Sequence, residues 1–405
     1  MDSNDIVIVG AGAAGLWAAA VCARSGRDTL VLEKTGRTGT KVLASGGSRC
    51  NLTTTLGARA ASQLFGKEGA RFVSPAFAAL PPQAVRERFS ALGVPTSIEA
   101  QFEKVFPTSN KARDVRDALQ ADALKSGAVI ETNQAVLNVS TDANGWQVQT
   151  ASATLSCRAV LLCCGGQSFP KTGTTGDAYA WLRALGLEVV PPVPALVPLT
   201  STAKWAKALS GLSVDAEVRI GKYRRRRPVL FTHLGLSGPG PMDASVHVSR
   251  ATRSVDLLVD LLPDHSWEAL RQMLVEAASR KGAPRLVRLI PLQRRLVETV
   301  AMVAGLSEPN PRAADISKAQ RNQLVNTLKG LPVPIDGTTG FDHAEVTAGG
   351  LALHEVDRKT MEVKAHPGLY VFGELLDLTG PIGGLNFQAA FATAELAGLA
   401  AGKPR

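Results

Sequence analysis

The apolar run Ile6-Val7-Ile8-Val9 leads without a break into Gly10-Ala11-Gly12-Ala13-Ala14-Gly15 and then into a helical stretch from Leu16 to Arg24. A buried strand, a GxGxxG turn and a helix, in that order, begin a βαβ unit of a parallel sheet and leave the chain few other folds. The three glycines play different parts, since Gly10 permits the tight turn, Gly12 lets backbone approach a pyrophosphate, and Gly15 lets helix and strand pack closely. Ala14 lies on the same turn. The helix N-terminus contributes free N–H groups and the positive end of a dipole. Leu30-Val31-Leu32 is the second strand, and Glu33 at its end offers a carboxylate to both ribose hydroxyls of an adenosine. An acid at that place disfavours a 2′-phosphate.

These features alone admit either FAD or NAD, and the C-terminal part of the chain separates the two. Leu369-Tyr370-Val371-Phe372 is another apolar strand, followed by Gly373-Glu374, by Gly380-Pro381-Ile382-Gly383-Gly384, and by a helix from about Leu385 to Ala397. A strand that feeds a glycine-rich helix start suits the ribityl chain and the N1/C2=O edge of a flavin, because a helix N-terminus stabilises negative charge there. FAD is therefore the expected cofactor. Only one GxGxxG unit is present, so a second nucleotide domain of the disulfide-reductase kind is not expected. NAD(P)H remains open as an electron donor that binds transiently over the flavin.

At 405 residues the chain has room for two or three domains. Apolar residues make up 45% and charged residues 20%, the balance of a globular enzyme. No apolar run approaches the roughly 20 residues that span a bilayer. Asp2 and Asp5 stand where a secretory signal carries basic residues, which makes a cytoplasmic protein the expectation. Five cysteines, an odd number without paired metal spacing, argue against a disulfide framework or a metal site. The net charge of +10 is uneven: residues 203–330 hold 21 Lys and Arg against 11 Asp and Glu, and the rest of the chain balances at 24 each. The excess includes Arg224-Arg225-Arg226-Arg227 and Arg280, Lys281, Arg285, Arg288, Arg294 and Arg295, an electrostatic footprint that suits an RNA phosphate backbone. A merely solvated basic surface is the plainer reading.

Further along, six unusual motifs recur in one pattern: Ser45 to Asn51 (SGGSRCN), Val105-Phe106-Pro107, Thr172 to Asp177 (TGTTGD), Pro194 to Leu199 (PALVPL), Phe231 to Pro239 (FTHLGLSGP), and Gly373 to Gln388. Through them the chain resembles, along nearly its whole length, the YhiN-like bacterial flavoproteins, whose relatives include aminoacetone oxidase, a bile-acid-pathway reductase and a ribosomal-RNA dihydrouridine synthase. It departs from the family at Ser48, where a third glycine is usual, at Thr40, where a basic residue is usual, and at Leu385, where an aromatic residue is usual beside the flavin. The resemblance implies an α/β architecture with a Rossmann-like FAD-binding domain of the glutathione-reductase type, split between residues 1–192 and 340–405. An inserted mainly β domain (193–262 and 331–339) and a nested helical subdomain (263–330) complete it. The residues agree: 212–262 read as short alternating strands with turns at Gly221 and Gly235, and 264–330 as helices between Pro263 and Pro332.

The candidate cofactor residues are Gly10, Gly12, Ala14, Gly15, Glu33, Lys41, Ser45, Gly46, Gly47, Arg49, Asn51, Val136, Gly165, Gly166, Gly373, Glu374, Gly383, Gly384, Leu385 and Asn386. In the Ser45–Asn51 loop, backbone N–H groups and Arg49 can meet phosphate or a flavin edge, or form a tight turn with a surface arginine. Lys41 either supports the adenosine or pyrophosphate side or is simply solvated. Gly165 and Gly166 permit close approach of the cofactor, while Asp177 is explained by capping the next helix. Asn386 either bonds a flavin oxygen or caps its own helix. The catalytic candidates are His233, which holds a proton near neutral pH or is a satisfied core histidine, and Cys50, which lacks the second cysteine a flavin disulfide reductase uses. Three functions stay open: reduction of the uracil C5=C6 bond in RNA, oxidation or reduction of a small amine or enone, and a non-enzymatic flavin-bound interaction protein.

Overall fold

The structure, a computed structural model, describes residues 4–142 and 145–404. The chain forms two compact units, one made of Met1–Pro194 with Ala344–Arg405 and the other of Ala195–His343.

The first unit is built on a parallel sheet. The strand Asn4–Val9 pairs with Thr29–Glu33 on one side and with Thr154–Leu162 on the other, and Val129–Thr132 extends the sheet beyond Thr29–Glu33. Leu369–Val371 arrives from the far end of the chain and pairs in parallel with the last residues of Thr154–Leu162, in the register Leu369↔Val160 to Val371↔Leu162. Ile6, Val7, Ile8 and Val31 are fully buried, as a sheet covered on both faces requires. Two antiparallel strands, Gly145–Thr150 and Val136–Asp142, complete it. The helix Ala13–Arg24 begins at Ala13, directly after Gly12, three residues earlier than the apolar pattern indicates. Its partner is the C-terminal helix Leu385–Ala401, which runs past Ala397 because nothing interrupts it before Gly402. Trp17 joins the two, packing at a tilt against Phe391 with ring centroids 4.9 Å apart and donating its indole N–H to Glu395 at 2.7 Å.

The second unit is a closed antiparallel barrel whose neighbouring strands are Leu199–Ser201, Gly235–Ser237, Tyr223–Phe231, Ser213–Ile220, Val255–Asp260 and Leu331–Thr338. The run of strands expected over 212–262 is broken by a helix, Pro239–Ser249. Pro239 and Pro241 cannot serve a central strand, but they fit a first helical turn, where the missing N–H groups have no partner to lose. Three helices, Trp267–Ser279, Arg294–Val303 and Lys318–Lys329, occupy the stretch between Pro263 and Pro332. Ser266 caps the first and Ser317 with Gln320 forms a capping box on the third. Leu270, Leu274, Val300, Leu324 and Leu328 bury themselves in one core with the barrel residues Val218, Val229, Leu257 and Val333. Barrel and helices are thus one hydrophobic body. Among the described residues no helix is long and apolar enough to cross a membrane.

Candidate functional site

The glycine turn behaves as three separate constraints. A Cβ on Gly15 would overlap the Gly10 carbonyl oxygen, and one on Gly10 would stand 3.0 Å from the Cys163 carbonyl oxygen and the Cys164 Cα. A Cβ on Gly12 would meet no protein atom within 4 Å. Gly10 and Gly15 are therefore glycine for packing within the protein, whereas Gly12 keeps an open face beside the N-terminus of the helix. The Glu33 carboxylate reaches this turn: one oxygen accepts the Ala11 N–H at 3.0 Å, the other the N–H and hydroxyl of Thr35 at 2.8 Å. The Gln134 N–H bonds the Glu33 carbonyl at 2.9 Å, so the strand opened by half-buried Val136 starts from the same sheet end.

Gly10, Glu33, Gly165 and Gly373 all lie at or just past the C-terminal ends of parallel strands, the end of an open α/β sheet at which ligands bind. The returning segment locks onto this end. A Cβ on Gly373 would touch the Ala14 methyl at 3.2 Å, and the Gly373 N–H donates to the Thr393 hydroxyl. The Glu374 carboxylate takes the Lys41 ammonium at 2.5 Å, the Ser168 hydroxyl at 2.7 Å and the Thr347 N–H at 2.9 Å. Lys41 also donates to Ser168 at 2.5 Å. The Thr347 hydroxyl in turn accepts the N–H groups of Gln167 and Ser168, and Gly166 is glycine because a Cβ there would overlap Thr347.

The Ser45–Asn51 loop runs through four left-handed residues, Gly46, Gly47, Ser48 and Cys50, with φ between 54° and 67°. Ser48, at 67°, occupies a conformation that glycine adopts without strain, which accounts physically for the glycine usual there. Asn51 accepts the Val105 N–H at 3.2 Å and faces Gly384, the left-handed residue that starts the C-terminal helix. Arg49 does not extend freely: its guanidinium lies 4.0 Å over Phe106, pairs with Glu99 and bonds Asn110 at 2.9 Å. Cys50 is fully buried, and burial pushes its thiol up to about 12. That corrects its candidacy as a catalytic thiol, since the reactive species is the thiolate.

Other candidate residues find partners within the protein or stand at its surface. His233 is neither buried nor packed in a core; it is exposed on the turn between the strands Tyr223–Phe231 and Gly235–Ser237 of the second unit. Asn386 spends both ends of its amide on the loop before its helix, accepting the Gly380 N–H and donating to the Gly380 carbonyl, each at 2.8 Å. Asp177 stands at the start of its helix without capping it; its carboxylate takes Lys34 and Thr175 at 2.6 Å each. Burial pushes that carboxyl up, but the hydrogen bonds from Lys34 and Thr175 and the charge of Lys34 outweigh it, so the group sits below its ordinary value. Leu385 is buried under Gly380. The arginine run is largely neutralised: Arg225 and Arg227 turn onto buried Asp243, and Arg226 pairs with Asp215 and Asp264.

Residues 4–400 match the family model described as HI0933-like protein Rossmann domain. The chain belongs to that family. A protein of Haemophilus influenzae named ribosomal RNA dihydrouridine synthase is 33% identical over 96% of both chains. A Clostridium scindens protein named 3-dehydro-bile acid delta(4,6)-reductase is 31% identical over 98% of this chain and 99% of that one. Among solved structures, a 3-ketosteroid-delta4-(5alpha)-dehydrogenase from Rhodococcus jostii is similar in fold, with a TM-score of 0.54 at 15% identity, covering 99% of this chain and 97% of that one. The family places the chain among the FAD-dependent oxidoreductases, and its fold is of Rossmann type.

Sequence reasoning missed Ser168, Thr347 and Thr393. Ser168 follows Gly165-Gly166 closely, and Thr347 interrupts an apolar strand just before Gly349-Gly350, so both carried a local signal. Thr393 sits inside a helix among alanines and carried none.

Proposed function

We propose that this protein reduces a C=C bond conjugated to a carbonyl, that its substrate is the uracil C5=C6 bond of RNA, and that NAD(P)H is its electron source. The observation that carries the reading is the 33% identity, over 96% of both chains, to a protein named for making dihydrouridine in ribosomal RNA. Dihydrouridine is uridine with two hydrogens added across C5=C6. The bile-acid relative is named for a reaction of the same chemical kind, reduction of double bonds in line with a carbonyl. FAD, when bound, would supply the two-electron chemistry that such a reduction needs.

The chain's own residues divide the remaining work. The open face of Gly12 and the N–H groups starting the helix Ala13–Arg24 suit the pyrophosphate, and Glu33, with Val136 beside its strand end, suits the adenosine. Ser45, Gly46, Gly47, Asn51, Gly165, Gly166, Gly383 and Gly384 are the residues proposed to hold the flavin, and the Lys41–Glu374–Ser168 cluster ties the N-terminal and C-terminal halves of that wall together. Arg49 and Asn386 support the wall through Glu99 and Gly380. Protonation of C5 requires an accessible proton donor, which buried Cys50 is not.

The second reading, reduction of a small enone, is favoured by the 31% identity to the bile-acid reductase. One assay tests both. The holoprotein is incubated anaerobically with NADH or NADPH and ribosomal RNA from cells lacking it, and dihydrouridine is measured by mass spectrometry after digestion. Dihydrouridine at a defined position supports the RNA reading. Turnover of a 4-en-3-one steroid without any dihydrouridine replaces it with the second.

A further inference from the structure

We propose that Arg285, Arg288 and Arg312, flanked by Arg280 and Lys281, form the docking strip for the phosphate backbone of the RNA, an inference that rests on the RNA reading above. Several of the second unit's cations are already matched with a carboxylate. Arg219 pairs with Glu217 and Asp260, Arg225 and Arg227 with Asp243, Arg226 with Asp215 and Asp264, Arg294 with Glu298, and Lys329 with Asp260. A cation already neutralised by a carboxylate has little to gain from a phosphate. The strip differs. Among the described residues no carboxylate lies within the 4.0 Å of an ion pair from Arg280, Lys281, Arg285, Arg288 or Arg312.

Geometry places these residues together. Arg285 and Arg312 are directly opposite each other in an antiparallel bridge, so their side chains leave the backbone on the same side. Each guanidinium is anchored across the bridge by one main-chain acceptor: Arg285 donates to the Asn310 carbonyl at 2.6 Å, and Arg312 to the Ala283 carbonyl at 3.0 Å. A guanidinium has five N–H groups, so each keeps most of its donors for a ligand while its position is already fixed. Arg288 closes the 3-10 turn Leu286–Arg288, and its N–H bonds the Arg285 carbonyl at 3.0 Å. Leu286, Ile290 and Ala313 bury themselves beneath and hold the strip rigid. Arg280 and Lys281 are exposed just before it, at the end of the helix Trp267–Ser279. The same segments carry only Glu308 and Asp315 in opposition. Two arginines held side by side, with a main-chain anchor each and no carboxylate between them, match a chain of phosphates in charge and in donor geometry.

The test measures binding of the holoprotein to oligouridylate across a salt series, with flavin absorbance and thermal unfolding recorded for every variant. Each lost phosphate contact on single-stranded RNA lowers the salt slope by about 0.7, so R285S/R288S/R312S should lower it by about 2. K204S/K207S/K222S, which removes equal charge from exposed positions elsewhere in the unit, should lower it by less than half as much. R285K/R288K/R312K keeps the charge and should hold the wild-type slope, which separates contact from misfolding. Equal slopes for the two serine triples overturn the strip even if the wild type makes dihydrouridine. Loss of slope in the lysine triple, or binding of the wild type to vesicles of anionic lipid with no affinity for oligouridylate, overturns it too. Absence of dihydrouridine in RNA that the wild type nevertheless binds with the expected slope instead counts against the function proposed above and leaves the strip in place.

Discussion

Replacing Gly384 with alanine should do more damage than its backbone angle alone would cause. Gly384 starts the helix Leu385–Ala401 at φ 77°, and an added Cβ would overlap the Thr53 carbonyl oxygen and stand 2.9 Å from the Asn51 Oδ1. Gly186 is a matched control, at φ 78° with no atom within 4 Å of an added Cβ. In both proteins alanine must hold a left-handed backbone at about 1–2 kcal/mol. Only in Gly384→Ala does the helix start also have to move off Thr53, an overpacking cost of about 1–3 kcal/mol. Taking about 2 kcal/mol as the difference, and about 3 °C per kcal/mol for a unit of this size, Gly384→Ala should unfold roughly 6 °C below Gly186→Ala. If the helix start forms the flavin wall, flavin absorbance per mole of protein should fall with it, whereas Gly186→Ala should keep its flavin. Differential scanning calorimetry together with the absorbance ratio reads both quantities. Identical midpoints for the two variants would refute the clash, and a lower midpoint with full flavin content would detach the helix start from the cofactor.

Two further outcomes follow from the same wall. Glu33→Ala should weaken FAD binding about 10- to 100-fold, since a hydrogen bond to a charged group contributes about 1.5–3 kcal/mol; fluorescence titration of the apoprotein reads it, and an unchanged affinity removes Glu33 from the adenosine end. For Asp177 the folded group lies below its ordinary value of 3.8, so its contribution to stability is present above about pH 4 and is lost as pH falls through the lower folded value. The wild-type advantage in unfolding midpoint over Asp177→Asn should therefore shrink on acidification toward pH 2, and an advantage that grows instead would contradict the sign.

What the sequence made legible was what is local. The run Ile6–Val9, the three glycines and Glu33 define strand, turn and helix within thirty residues, and the structure places them as that pattern requires. Contacts between distant segments were not legible. Lys41 meets Glu374 across 333 positions, a pairing that no periodicity encodes, so the sequence left Lys41 between cofactor support and an ordinary solvated lysine. The arginine run misled for a different reason. Read as a block it is a charge cluster, but on a strand Arg225 and Arg227 are in phase with buried Val229 and Phe231 and face inward, toward Asp243. The helix Pro239–Ser249 was lost because the whole stretch 212–262 read as short alternating strands.

The return of Leu369–Val371 to the sheet edge at Val160–Leu162 has a consequence for how the protein comes into being. On a ribosome the dinucleotide turn emerges well before the rest of its sheet, and the strand that pairs with Val160–Leu162 follows some two hundred residues after Leu162. At about 5–20 residues per second that interval is roughly 10–40 s. Before it ends the second unit, contiguous in the chain, has all its own strands and can finish, while the sheet of the first waits with an unpaired apolar edge of the kind that invites aggregation. Chaperone demand should therefore concentrate on the nascent N-terminal third, and any early stop before Leu369 leaves the first-made motif permanently unfinished.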